Sequence, residues 1–130
     1  MSYYIAKTVK QDFDATVSEV TARLKERGFG VLTDIDVQAT LKAKIGADTP
    51  KYRILGACNP RFAHEALKLE THLGVLLPCN VIVRETADHQ VEVASIDPVA
   101  SLERAGNEAL RGLAETVRKD LSAVIEALGG

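Results

Sequence analysis

The sequence predicts an α+β protein, in which helices pack on one face of an antiparallel or mixed sheet. Segments rich in β-branched and aromatic residues occur beside segments whose apolar residues recur at helical spacing. The two kinds of segment do not alternate strictly, as a parallel βαβ repeat would require. The 130 residues contain no linker and no internal repeat, so we expect a single domain over residues 1–130.

Three strands and two helices are predicted in the first half of the chain. Apolar residues from Phe13 to Leu24 recur at spacings of four, three and four, and Gly28 is typical of the residue that ends a helix. Between Asp36 and Gly46 a four-residue spacing favours a short helix, with a continuation of the preceding strand as the alternative. The strands are predicted at residues 3–9, 29–35 and 52–58, where side chains alternate.

The second half is predicted to contain three helices and two further strands. Asn59 and Pro60 form a strong helix start, because Asn caps helices and Pro fits the first helical position. Pro78 cannot donate a hydrogen bond to a sheet, so it indicates an edge strand or a bulge. The predicted elements are a helix from Asn59 to near Gly74, strands at residues 75–85 and 90–95 joined by a turn at Asp88-His89, a short helix from Asp97 to Arg104, and a long helix from Asn107 to Gly129.

Charge and composition exclude several classes of function. Sixteen basic and eighteen acidic side chains leave a net charge of −2, which argues against bulk electrostatic binding to nucleic acid or to a membrane surface. Aromatic residues make up 5% of the chain, too few for a platform that stacks single-stranded nucleic acid. The first residues show no export signal, and no apolar stretch is long enough to cross a bilayer. We therefore expect a cytoplasmic protein with no nucleic-acid partner and no membrane partner.

Two Cys-Asn pairs are the strongest candidates for a binding site. Cys58-Asn59 stands where a strand meets a helix, and Cys79-Asn80 follows a proline that interrupts a strand. The amide groups and the positive end of a helix stabilise a thiolate or an anion, and Arg61 adds positive charge in the first turn. We therefore predict a small pocket for a small molecule or anion at these five residues.

Two other interpretations of the same residues stay open. Both cysteines can be small buried side chains, with the asparagines serving as a helix cap and a turn residue. Alternatively, Cys58 and Cys79 can serve a thiol-dependent enzyme or a redox or metal sensor. The spacing of His64, His72 and His89 does not match a metal site, and no nucleotide-binding or hydrolase motif is present. We therefore expect no metal and no cofactor, and the sequence names no catalytic residue.

The C-terminal helix predicts an interaction between two copies of the chain. Its apolar stripe most simply covers the sheet, while a second face carries Ala109, Ala114, Ala123 and Ala127. Small residues on one helix face are suited to packing against a partner, and small domains often form twofold dimers. We therefore expect a homodimer, with an interaction module for another protein as the alternative function.

The chain resembles the domain of unknown function 302 family. The resemblance extends from about Tyr3 to Leu128 and is carried by the runs GFGVLTDID (residues 28–36), YRILGACNP (52–60) and LLPCNV (76–81). It implies a β-α-β(4)-α fold with a mostly antiparallel sheet, and a dimer. The family has no established activity, so no catalytic role is carried over. The resemblance adds candidate positions at the motif residues, which are Gly56, Cys58, Asn59, Pro60, Pro78, Cys79 and Asn80.

Overall fold

A computed structural model describes residues 2–129 and places five strands and five α helices within them. Three short 3₁₀ helices connect these elements, at Thr71–Leu76, Glu103–Ala105 and Glu108–Leu110. The strands and α helices are, in chain order, β1 (Tyr4–Val9), α1 (Phe13–Glu26), β2 (Gly30–Asp36), α2 (Val37–Ile45), β3 (Tyr52–Cys58), α3 (Pro60–Leu69), β4 (Cys79–Glu85), β5 (Val91–Ile96), α4 (Pro98–Leu102) and α5 (Arg111–Ala127).

The five strands form one antiparallel sheet in the order β1-β5-β4-β3-β2. One face of this sheet carries the hydrophobic core, where α1, α3, α4 and α5 pack. The α+β class predicted from the sequence is therefore confirmed. The core residues of the strands all point to that face, and they are Val9, Leu55, Ala57, Cys79, Val81, Val83, Val91 and Val93.

The ends of α1 and α2 follow from their capping residues. Asp12 caps α1, because its carboxylate Oδ1 accepts a hydrogen bond from the Ala15 amide at 2.7 Å. Asp36 caps α2 in the same way, through the Ala39 amide at 2.9 Å. Gly46 ends α2 in the left-handed conformation, with φ of 68°, which glycine adopts without a steric cost. The segment after β2 is thus a helix and not a longer strand.

The segment before β4 differs from the prediction. The helix that Asn59 caps ends at Leu69, and the 3₁₀ helix Thr71–Leu76 follows it. The strand begins at Cys79 and not at residue 75, because Leu73 turns into the core and Val75 is left 85% exposed. Pro78 precedes the first residue of β4, which is the central strand of the sheet. The predicted edge strand or bulge is therefore wrong, since β4 pairs with both neighbours without a register shift, and a proline just outside a strand removes no hydrogen bond from the ladder.

The C-terminal helices close the helical layer. Asp97 caps α4 and also accepts a hydrogen bond from Arg118 of α5, whose Nε lies 3.0 Å from Asp97 Oδ2. Lys7 of β1 donates from Nζ to the carbonyl oxygen of Leu128 at 2.7 Å, where its charge also favours the negative end of α5. Within residues 2–129 no helix combines the length and the apolar character needed to span a membrane.

Candidate functional site

The two Cys-Asn pairs meet at one end of the sheet. Cys58 is the last residue of β3 and Cys79 is the first residue of β4. In the antiparallel register Ala57 pairs with Cys79, and Gly56 pairs with Asn80. The structure therefore brings the candidate residues of both sequence motifs into one neighbourhood, although they are about twenty positions apart in the chain.

Gly56 is required by packing at this end of the sheet. A side-chain Cβ at this position would overlap the Thr33 hydroxyl and would lie 2.8 Å from Cγ of Pro78. The Thr33 side chain and the Pro78 ring thus cover the backbone of β3 from the face opposite the core. The motif residues Gly56 and Pro78 have a structural reason to occur together, because only glycine lets the ring approach so closely.

The two asparagines have different environments. The Asn59 side chain caps α3, since its Oδ1 accepts hydrogen bonds from the amides of Arg61 at 3.1 Å and Phe62 at 3.3 Å. Those two amides are the groups that a bound anion would use, so Asn59 itself satisfies the helix start. Asn80 is exposed on the face of β4 opposite the core, and the Arg61 side chain is exposed in the first turn of α3.

The two thiols border one small cavity of about 20 Å³, which has room for about one water molecule. Cys79 is 6% exposed, and burial together with the neighbouring Cys58 raises the pKa of its thiol to about 11. Cys79 is therefore protonated at neutral pH, while Cys58 is half-buried and more accessible. The other residues that line the cavity are Phe29, Ala57, Asn59, Phe62, Ala63, Leu77 and Pro78.

A larger cavity of about 280 Å³ lies between α4 and the start of α5, away from both cysteines. Buried Leu102, Leu110 and Ala114 form its floor, and Glu108 and Arg111 stand at its rim. No motif in the sequence indicated this cavity. Across residues 2–129 the structure contains no group of three or more His, Cys, Asp or Glu side chains placed to hold a metal ion.

The sheet face opposite the core carries a continuous row of apolar side chains, which we call the apolar row. Register places Ala6 opposite Ala94, Ala94 opposite Ile82, Ile82 opposite Ile54, and Ile54 opposite Ile35. None of these five residues belongs to the hydrophobic core. Ile35 is 47% exposed and Ala6 is exposed, whereas Ile54 and Ile82 are half-buried and Ala94, between Ala6 and Ile82, is buried.

Polar residues lie on both sides of the apolar row. Asn80 stands on one side, and on the other Arg84 and Glu92 form an ion pair with Nε and Oε1 2.8 Å apart. An apolar centre with a polar border is typical of a protein interface. Ile54 and Leu55 are consecutive apolar residues of β3, and consecutive residues of a strand point to opposite faces of the sheet. This pattern was the signal in the sequence that both faces of β3 are apolar.

The alanine face predicted on the last helix is partly wrong. Ala114 is 2% exposed and belongs to the core, because α5 packs that side against the sheet and α4. Ala123 is half-buried, and Ala109 and Ala127 are exposed. The four alanines therefore do not form one outward face.

The fold is thus that of a small α+β protein with an antiparallel sheet and a helical layer on one face. A family model described as "Domain of unknown function DUF302" matches residues 5–128, and the chain belongs to this family. It is similar to the crystal structure of an uncharacterized conserved protein DUF302 from Bacillus stearothermophilus, with 26% identity and a TM-score of 0.91. That similarity covers 97% of this chain and 98% of the other. No curated protein matches the chain.

Proposed function

We propose that the protein is a homodimeric binding module in which a second copy of the chain covers the apolar row. The observation that carries this proposal is the unbroken apolar row across all five strands on the face that the core leaves uncovered. Apolar surface that remains in contact with water costs free energy, which a second apolar surface removes. A face-to-face sheet packing is a common solution, with the two sheets about 10 Å apart.

The apolar row has a size gradient that suits a second copy of itself. Two alanines stand at the β1 side, two isoleucines stand at the β2 side, and Ile82 lies on the central strand between them. The proposed twofold axis runs parallel to β4, midway between the two facing sheets. Across this axis, the strands of the second copy follow the reverse order of those in the first. Ile82 then faces the same residue of the second copy, and the small residues face the large ones, as close packing requires.

The sheet face alone is smaller than a standard interface, so the proposed interface also includes α2. A face of five strands with about six residues each measures roughly 24 by 20 Å, or about 500 Å². A standard interface buries about 800 Å² on each partner. α2 is the helix with additional apolar surface beside the sheet, because it has no buried residue and leaves Ile45 74% exposed. Its neighbours are β2 and β3, the strands that carry the isoleucine end of the apolar row.

A charge at the centre of the apolar row tests the proposal. We expect the wild-type chain to sediment as a dimer and Ile82→Asp to sediment as a monomer, because the twofold axis would bring two carboxylates together in an apolar interface. Ala127→Asp is the matched control on the exposed side of α5, and we expect it to stay dimeric. Ile35→Asp repeats the test at a more exposed position, where the fold is less affected. A monomeric wild type, or a dimeric Ile82→Asp and Ile35→Asp, would contradict the proposal.

A site for a small molecule or anion at Gly56, Cys58, Asn59, Arg61, Cys79 and Asn80 remains a second proposal. Its support is that these residues gather at one end of the sheet, with an exposed Arg61 guanidinium beside the start of α3. Thermal unfolding with sulfate, phosphate and small carboxylates tests it, and we expect an Arg61→Ala variant to lose any stabilisation that the wild type shows. Absence of stabilisation by every anion would contradict it. A cytoplasmic location, with both thiols reduced at rest, belongs to the same proposal.

A further inference from the structure

We infer that Cys58 and Cys79 form a redox-responsive pair, which a hydroperoxide converts into an intramolecular disulfide. This inference does not depend on the proposed dimer, because it rests on the cavity that both thiols border. Cys58 and Cys79 both line this cavity of about 20 Å³, and Cys58 is half-buried while Cys79 is buried. Two free cysteines that share so small a space are candidates for direct reaction with each other.

The backbone places the two cysteines within reach of a disulfide. Ala57 and Cys79 are direct partners in the antiparallel ladder, and such partners have Cα atoms about 5 Å apart. Cys58 is the next residue after Ala57, so its Cα lies roughly 6 Å from that of Cys79. Disulfides span Cα distances of about 4.4 to 6.8 Å. Within a continuous strand the two side chains would point to opposite faces, but Cys58 is the last residue of β3, both residues line the same cavity, and Cys58 lies close enough to contribute to the raised pKa of Cys79.

The different burial of the two thiols assigns their roles. Cys58 is accessible to a small oxidant, so its thiolate attacks one oxygen of the hydroperoxide and the O–O bond breaks. With hydrogen peroxide, the leaving hydroxide takes the proton that the Cys58 thiol has released and becomes water, and Cys58 becomes a sulfenic acid. The Cys79 sulfur then attacks the Cys58 sulfur, the S–O bond breaks, and the departing hydroxide takes the Cys79 proton to form a second water.

The reaction balances without a further reagent. Two thiols lose two electrons and two protons, and hydrogen peroxide accepts them to give two molecules of water. Burial of Cys79 in the core protects the resolving thiol from the oxidant itself, since it is only 6% exposed. The short distance to Cys58 replaces the need for a second protein or a small thiol.

Peptide mapping after oxidation of the folded, reduced chain tests the inference. Hydrogen peroxide is added, the remaining thiols are alkylated under denaturing conditions, and the intact mass is measured without reductant. We expect the wild-type chain to lose two hydrogen atoms, to show no alkylation, and to yield a linked peptide that contains Cys58 and Cys79. A chain with alkylated Cys79 and with Cys58 oxidised beyond the sulfenic acid would contradict the inference, as would a disulfide between two chains.

Single variants separate the two roles. In Cys79→Ala we expect peroxide to leave Cys58 as a sulfenic acid that dimedone labels, because the resolving thiol is absent. In Cys58→Ala we expect Cys79 to stay reduced in the folded chain. Oxidation of Cys79 in that variant at the wild-type rate would overturn the assigned order. The same disulfide is expected in Ile82→Asp, so failure of the redox pair is distinguishable from failure of the dimer.

Discussion

The two faces of the sheet are built from alternating residues of the same strands, yet they differ in what covers them. On the core face Leu55, Val81 and Val93 are at most 1% exposed beneath the helices of this chain. On the other face Ile54 and Ile82, their direct neighbours in sequence, are only half-buried, and Ile35 is 47% exposed. The difference shows that the helices of one chain cover one face of the sheet and leave apolar side chains of the other face partly exposed.

Neighbouring residues of β3 give the largest expected contrast between the faces. We expect Leu55→Ala to lower the free energy of unfolding by about 2–5 kcal/mol, because it leaves a cavity in a closely packed core. Ile54→Ala removes a half-buried side chain and is expected to cost about 1 kcal/mol in the dissociated chain. Its main effect should be weaker association. Urea unfolding and sedimentation equilibrium measure the two effects, and equal losses of stability would show that both faces are covered within one chain.

The packing of Thr33 and Pro78 over Gly56 gives the next largest expected effect on stability. We expect Gly56→Ala to destabilise the fold by about 1–3 kcal/mol, because the added Cβ overlaps the Thr33 hydroxyl and crowds the proline ring. Thr33→Ala removes one of the two clashes, so the double variant should recover part of the loss. Thermal unfolding of the two single variants and the double variant measures this coupling. If the loss of stability in the double variant equals the sum of the losses in the two single variants, the close approach of Thr33 to residue 56 is contradicted.

Asn59 and Asn80 are expected to differ in how much they contribute to stability, although each follows a cysteine in the sequence. Asn59→Ala should cost about 0.5–2 kcal/mol, because it removes the cap of α3 and leaves two amides without partners. Asn80→Ala should change the stability by less than about 0.5 kcal/mol, since the side chain is exposed. Chemical denaturation at one pH compares the pair directly. Equal effects would mean that Asn80 has a structural role comparable with the cap.

A pH dependence of the stability is expected at the ion pair between Asp34 of β2 and Arg53 of β3, on the core face. The hydrogen bonds that Arg53 donates hold the pKa of Asp34 below its ordinary value. A lowered pKa in the folded state adds stability above the unfolded pKa of about 3.9, and this stability is lost as pH falls through and below that value. Asp34→Asn should therefore lose at most about 1 kcal/mol at pH 7 and little at about pH 3, because the pair is partly exposed.

Urea unfolding at the two pH values measures the difference between wild type and Asp34→Asn. Asp48→Asn is the matched control, because Asp48 also pairs with a basic residue but is 86% exposed. We expect no comparable difference between the two pH values for the control. An Asp34→Asn loss that is the same at both pH values would contradict the ion pair as its cause.

Most elements of the fold could be predicted from local signals. Asp36, Asn59 and Asp97 each cap a helix whose start the sequence predicted at that residue, because capping depends on the residues of the first turn. The segment after Gly74 was wrong because Val75 and Leu76 are apolar residues typical of a strand, while their actual conformation depends on the burial of Leu73. Burial by distant elements is not visible in a short window of sequence.

The candidate site could be predicted only in part. The sequence showed that both Cys-Asn pairs stand at the boundary of a predicted strand. The structure places the two pairs together because β3 and β4 are neighbours in the sheet. The sequence could not give the pairing order, so it predicted an edge strand or a bulge at Pro78, although this proline precedes the central strand β4. It also could not show which face of β3 the helices cover. For the same reason it could not show that Ala114 of α5 is buried in the core and does not lie on an outward face.

Crosslinking through the central strand tests the proposed interface most directly. Ile82→Cys is placed in a chain whose native cysteines are replaced by alanine, and a short bis-maleimide reagent is added to dilute protein. The account predicts rapid formation of a covalent dimer, because residue 82 of one copy faces residue 82 of the second across the twofold axis. Ala127→Cys in the same background should stay uncrosslinked. A monomeric Ile82→Cys product, or a covalent dimer from Ala127→Cys alone, would contradict the proposal that a second copy covers the apolar row.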